Sequence, residues 1–180
     1  MGATTRSTPN DSSVYNRGTK KFEAVVALNI GIDDLITTGD LVVLMELPKE
    51  AIITSIKYMN TDMDSGSPAL VCDIGLYEAT KAKSIDELDR DDDIAVLDAD
   101  IYVDGLAGLQ AAVLVPTETL GAGTNAVSAD DAYKTVRELA GHTIASGTMP
   151  SKYLLGLKVT VDAATAVAGD VVFFVSWVQG

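Results

Sequence analysis

The chain has 180 residues, the length of one ordinary domain, and 47% of them are apolar against 22% charged, which excludes collagen-like, low-complexity and disulfide-scaffold classes. Thirteen Lys and Arg face 26 Asp and Glu, a net charge of −13 that repels phosphate backbones and anionic membranes, so neither nucleic acid nor membrane is an expected partner. A single cysteine, Cys72, and a single histidine, His142, allow no intramolecular disulfide and no His-rich metal site, and no cofactor is expected.

Residues 1–13 are Thr, Ser, Asn and Pro without an apolar run, so they read neither as a secretory signal nor as a transit helix, and a cytosolic origin is expected. The most apolar stretch, Leu106 to Val115, is interrupted by Gln110 and falls short of the roughly 20 residues of a membrane span. Within residues 1–21, Arg6, Arg17, Lys20 and Lys21 against Asp11 give a net of +3, leaving −16 for the remainder. Residues 1–21 therefore read as a flexible basic arm ahead of a single acidic domain, 22–180. Such an arm is either a solvated terminus or a segment that orders on the acidic surface of a neighbouring subunit. On the second reading Arg6, Tyr15, Arg17, Lys20 and Lys21 are the candidate inter-subunit contacts.

From Phe22 onward, short β-branched runs alternate with Gly, Asp, Asn and Pro, the pattern of strands and turns. Phe22 to Ile30 is the first strand. Asp40 to Leu47 follows and is stopped by Pro48, which lacks the N–H a central strand needs. Ile52 to Met59 alternates, with Ile52, Ile56 and Tyr58 expected on one face and Ser55 and Lys57 on the other. The cluster Asn60 to Pro68 is a turn whose short polar side chains bond their own backbone. Ala69 to Tyr77 then places Leu70, Cys72, Ile74 and Leu76 on a buried face, so Cys72 reads as core and not as a nucleophile.

Ala79 to Asp93 is read as a surface excursion, with Ser84 and Glu87 at the spacing of a capping box around a helical turn. Ile94 to Leu97 and Ile101 to Val103 are short strand candidates, Gly105 to Val115 is either helix or strand, and Pro116 to Ala129 is loop-like. Asp130 to Leu139 holds a helical turn or a short strand. The last two runs, Lys152 to Val161 and Asp170 to Val178, are expected to pair as an antiparallel hairpin. The second of them is apolar on both faces, as a central strand or a strand at a subunit interface would be. About eight strands without regular αβ alternation predict a mainly β fold, an antiparallel β-sandwich of jelly-roll type with short helical insertions.

Catalytic patterns are weak. His142 lies among Gly, Thr and Ser with no Gly-x-Ser-x-Gly, and Gly121-Ala122-Gly123 lacks the third Gly and the Lys of a phosphate loop, so no catalytic residue is nominated and the chain is not expected to be an enzyme. Asp98, Asp100 and Asp104 do not follow an EF-hand, having Ile101 and Tyr102 where such a loop is polar. The acids Asp86 to Asp93 read as a solvated face or as ligands of a structural divalent ion, and both alternatives stand at this level.

The order GDLVVLMELPKEAIITSIKY (Gly39 to Tyr58), DMDSGSP (Asp62 to Pro68) and ALVCDIGLYE (Ala69 to Glu78) resembles a type of tailed-bacteriophage virion structural protein. DGLAGLQAA (Asp104 to Ala112), TVRELAG (Thr135 to Gly141) and the terminal KYLLGLKVTV and GDVVFFVSWV extend the likeness over roughly residues 39–178. The resemblance implies a jelly-roll-like sandwich on a virus particle. It implies a homo-oligomer, with a trimer favoured, serving as a capsid decoration (cement) protein on the major capsid protein, or as a head-fibre or minor tail component. A virion location on the capsid surface, after assembly in the host cytoplasm, goes with it. The alternative is a carbohydrate- or receptor-binding module of a tail or fibre, which needs exposed aromatics such as Tyr77, Tyr102, Tyr133 or Tyr153 near loops.

Overall fold

A computed structural model describes residues 20–31, 37–65, 69–89, 92–123, 126–128, 131–142 and 152–179. Its elements are β1 (Lys20–Ile30), β2 (Leu41–Leu47), β3 (Ala51–Asn60), β4 (Val71–Ala79), a 3₁₀ turn (Ile85–Glu87), β5 (Ile94–Leu106), a second 3₁₀ turn (Gly108–Gln110), β6 (Val113–Glu118), α1 (Val136–Leu139), β7 (Lys152–Val161) and β8 (Gly169–Gln179). No helix among the described residues is long and apolar enough to cross a membrane. The strands form two antiparallel four-stranded sheets, in the orders β1-β8-β3-β6 and β2-β7-β4-β5. First pairs with last, second with second-last, and so inward, which is the winding of an eight-stranded jelly roll. The expected sandwich is thus the observed one.

Period-two burial builds the core between the sheets. Ala24, Val26, Leu28 and Ile30 of β1 and Val171, Phe173, Val175 and Trp177 of β8 point inward, against Cys72, Ile74 and Leu76 of β4 and Leu155, Leu157 and Val159 of β7. The ring of Phe22 stacks on Trp177 with centroids 5.6 Å apart and closes one end. Val136 of α1 is buried in the same cluster, and the helix is started by Thr135, whose hydroxyl accepts the Glu138 N–H while the Glu138 carboxylate accepts the Thr135 N–H at 2.8 Å.

Several expectations are corrected. The runs Lys152–Val161 and Gly169–Gln179 do not form a hairpin, because β7 lies between β2 and β4 while β8 lies between β1 and β3 in the opposite sheet. Each run is apolar enough to be a central strand, and the connection 162–168 crosses the roughly 10 Å between sheets. In β3 the register slips between Ile53 and Ser55, so Ile53, not Ile52, joins Ile56 and Tyr58 in the core. The two short candidates around Ile94 and Ile101 are one strand, β5. Pro116 to Glu118 belong to β6, an edge strand where proline is tolerated.

β5 is continuous only because it arches. Ile74 pairs with Val103 but Leu76 with Asp98, so residues 99–102 bow over β4 at Gly75. A Cβ at Gly75 would collide with the Ala99 carbonyl, and its neighbour in register, Gly156 of β7, lies under the Tyr77 ring, where a Cβ would come within 2.6 Å. The Asp73-Ile74-Gly75 motif is explained at both ends, since the Asp73 carboxylate accepts the Gly105 N–H at 2.8 Å beyond the arch. Gly75→Ala is expected to lower stability in urea denaturation by about 3 kcal/mol, because the obstruction is main chain and not a yielding side chain. A loss under 0.5 kcal/mol would show that the arch moves freely.

Candidate functional site

The surface features follow from what each sheet does with its outer face. In β4 and β7 the runs Cys72–Tyr77 and Tyr153–Leu157 are buried on both sides, so the outer face of β2-β7-β4-β5 also requires cover. The segment between β4 and β5 supplies it: Ile85 and Leu88, with Leu41, Val43 and Ile94, pack on a second buried cluster of Tyr77, Ala79 and Leu154. The excursion predicted at Ala79 to Asp93 is therefore anchored to the sheet by its apolar residues. Its turn is braced by the expected box, with the Glu87 carboxylate accepting the Ser84 hydroxyl at 2.7 Å and its N–H at 3.3 Å.

Asp93, the last acid of the run, is turned away from solvent. It forms ion pairs with Lys81 and, at 2.6 Å, with Lys83, and accepts the Asp89 N–H at 3.1 Å. Lys81, then Lys83, then that N–H hold its carboxyl well below the usual range. Among the described residues no three His, Cys, Asp or Glu are arranged to hold a metal ion. The charge around Asp93 is met by lysines. On the same side of the molecule burial raises the Asp73 carboxyl, as do the charges of Asp104 and Asp100, and burial raises Asp98, which shares a hydrogen bond with Asp100. A shallow cavity of about 340 Å³ is lined by Asp40, Tyr77, Val96 and Lys158 among others, and the Tyr77 hydroxyl is buried without a partner.

Asp64 is the other buried acid with several bonds. It sits in the DMDSGSP turn and accepts the backbone N–H groups of Ala69 at 2.6 Å, Leu70 at 2.8 Å, Ala164 at 3.2 Å and Thr165 at 2.8 Å, while Asp62 accepts the Asp64 N–H at 3.1 Å. One side chain thus joins the β3–β4 turn to the β7–β8 crossing. Burial alone would raise its pKa, but the four donors outweigh burial and hold it below the ordinary value.

Among the described residues, the outer face of β1-β8-β3-β6 has no such cover. Val172 and Phe174 of β8 and Met59 of β3 share it and stay half-exposed, with Val172 beside Met59 and Phe174 beside Lys57 in register. At the edge, β6 protrudes: Leu114 is 77% and Val115 70% exposed. The sequence foresaw the two-sided β8 but not this edge, because Ala and Leu around 105–115 obscured the strand. The signal lay in Val113-Leu114-Val115-Pro116, an apolar run without alternation that ends in proline.

The other nominated residues are placed as follows. Arg6, Tyr15 and Arg17 lie outside the described residues. The backbone of Lys20 and all of Lys21 belong to β1, opposite Gln179 and Val178, and Lys21 is exposed. Cys72 is fully buried and its thiol is pushed up to about 12, by burial and then by the Asp73 charge, which suppresses the nucleophilic thiolate. His142 Nδ1 lies 2.8 Å from the Tyr153 hydroxyl, and the His142 backbone N–H donates to the Arg137 carbonyl at 3.0 Å. Arg137 makes a two-toothed pair with Glu50 at 3.1 Å. Of the tyrosines proposed for glycan contact, Tyr77, Tyr102 and Tyr153 are buried because their strands bury both faces, and only Tyr133 is exposed.

With this geometry in hand, the class of fold is an eight-stranded, two-sheet jelly roll. No protein-family model matches the sequence, and no curated protein matches it. Two solved structures share the fold over nearly the whole chain. One is titled the capsid of Ralstonia phage GP4, with TM-score 0.61, 15% identity and coverage of 93% of this chain and 90% of that one. The other is titled the cyanophage Pam1 capsid asymmetric unit, with TM-score 0.50, 18% identity and coverage of 91% and 86%.

Asp64 gives a pH prediction. A carboxyl with a depressed folded pKa adds stability above its unfolded value of about 3.9 and loses it as pH falls through the folded value. Asp64→Asn is therefore expected to be less stable than wild type at pH 7 by about 2 kcal/mol, with the gap narrowing in urea titrations as pH falls below about 4. A gap that is constant with pH would show that the carboxylate charge contributes nothing.

Proposed function

We propose that the chain is a structural protein of a tailed-bacteriophage virion, and within that class a capsid decoration (cement) protein. The observation that carries this is the jelly-roll likeness to two chains from phage capsid structures, end to end over about nine-tenths of this chain. It is joined by the Leu47-Pro48 step, the DMDSGSP turn and the Asp73-Ile74-Gly75 strand. In this reading the chain acts as a homo-oligomer, a trimer being favoured, on the outside of the head, bound to the major capsid protein after assembly in the host cytoplasm. The basic residues 1–21, with Arg6, Tyr15, Arg17, Lys20 and Lys21, tie it to acidic surfaces of neighbouring subunits.

Its action is linkage and not turnover. A protein that binds only the assembled shell favours that shell by RT ln(1 + [L]/Kd), about 2.7 kcal/mol per site at a hundredfold excess over Kd. The non-catalytic role is supported by a thiol whose pKa is pushed up to about 12 and a histidine bonded to a buried tyrosine. The glycan-binding alternative has lost three of its four tyrosines to the interior.

The test is binding to heads assembled from the major capsid protein of the phage encoding the chain. The full chain is expected to co-sediment with expanded heads and to raise their thermal disruption midpoint. A variant lacking residues 1–18 is expected to be retained at least tenfold less well. Failure of the full chain to co-sediment, with no shift in the midpoint, would overturn the reading.

A further inference from the structure

The two sheets are treated unequally by the rest of the chain, and the inequality has a direction. The outer face of β2-β7-β4-β5 is covered by the chain's own insert through Ile85 and Leu88. On the outer face of β1-β8-β3-β6 no second buried cluster forms among the described residues, and Val172, Phe174 and Met59 remain half-exposed beside the open edge carrying Leu114 and Val115. An apolar sheet face continuous with an apolar edge strand is uncommon on a monomer, since both invite association.

We infer that this face is a self-association surface, and that its occupant is a second copy of the chain. Charge selects the occupant. Two molecules of net charge −13 repel, and they can approach only where charges nearly balance. Around the β1-β8-β3-β6 face the charged side chains among the described residues are Lys21 and Lys57 against Glu23, Glu118 and Asp170, close to neutral. The opposite side gathers Asp73, Asp98 and Asp100 with Glu87, Asp89, Asp92 and Asp93 of the insert against Lys81, Lys83 and Lys158, an acidic excess that disfavours contact between like copies there.

Area agrees with this occupant. The four strands, of eleven, eleven, ten and six residues, present roughly 600 Å² of sheet face, from about 3.3 Å per residue and 4.8 Å between strands, at the lower end of the roughly 600 to 1,000 Å² per partner of a stable complex. Pro116 removes an N–H from the β6 edge, so face packing, and not strand addition, is the mode of contact. The inference concerns the homo-oligomer of the proposed function, to which it gives a two-fold contact in place of the trimer favoured there, and it rests on that reading for its biological setting, though not for its geometry.

Sedimentation velocity of the full chain between about 1 and 100 µM tests it, with Phe174→Glu and the double variant Leu114→Glu/Val115→Glu beside the wild type. The wild type is expected to sediment as an oligomer, and each variant to dissociate at a concentration at least tenfold higher. The thermal midpoint should stay within about 3 °C of wild type for the double variant, whose side chains lie in solvent. A wild type that is monomeric at 100 µM, or an oligomer unaffected by both variants, overturns the inference. Should the wild type be monomeric while the variants lose retention on heads, the face belongs to the shell and not to a second copy, which overturns it also. Self-association through this face without head binding would leave the inference standing and sink the proposed function instead.

Discussion

The constraint on which the molecule depends is cover for apolar sheet faces. Two stacked sheets have two inner faces that cover each other and two outer ones that do not. In this chain β4, β7 and β8 carry apolar side chains on both sides, more than a sandwich can absorb by stacking alone. The β4–β5 insert answers half of the excess, and its position explains why it combines Ile85 and Leu88 with acids: the former face the sheet, Glu87, Asp89 and Asp92 face water, and Asp93 is buried between two lysines. The arch of β5 over Gly75 and the Tyr77 ring on Gly156 complete the same cover.

A second theme is the use made of carboxylates. Glu87 and Glu138 close the starts of short helical turns, Asp73 fixes the end of the β5 arch, and Asp64 gathers four backbone donors from two loops. Asp93 differs in that its charge is met by two lysines. Part of the acidity is therefore architectural. A jelly roll has long crossings between sheets, whose backbone N–H groups have no ladder partner, and a buried carboxylate with its several acceptor sites satisfies them in a small space.

The fold class was legible because the strands obey period-two burial and the turns carry their own chemistry. β1, β2, β4 and β8 lie within a residue or two of where Phe22, Asp40, Ala69 and Asp170 put their starts, and the capping box at Ser84 was visible, whereas the one at Thr135 lay in a stretch that read equally as a helical turn or a short strand. Pairing was less legible. Nothing local distinguishes a hairpin from a crossing between Lys152 and Val178, since which sheet a strand joins is decided by partners more than a hundred residues away, as Val175 with Ala24 and Ile56 illustrates. The bulge at Thr54 and the arch at 99–102 were hidden for the same reason, each being a response to a neighbouring strand. Exposure of Leu114 and Val115 was illegible because an apolar strand ordinarily reads as core.

Acidity and the uncovered face are compatible because they are segregated. At physiological ionic strength, charges more than about 8 Å apart in solvent scarcely feel each other. The acids of the β2-β7-β4-β5 side are separated from the opposite face by the full thickness of the sandwich, with sheets about 10 Å apart. Copies joined through β1-β8-β3-β6 would therefore keep their acidic sides outermost and beyond screening distance of each other. The same acids spread over the contact face would face their counterparts across a few ångströms of low dielectric, where repulsion is strong. On the inferred contact, an acidic chain with one nearly neutral apolar face thus keeps one orientation in which two copies meet without strong repulsion.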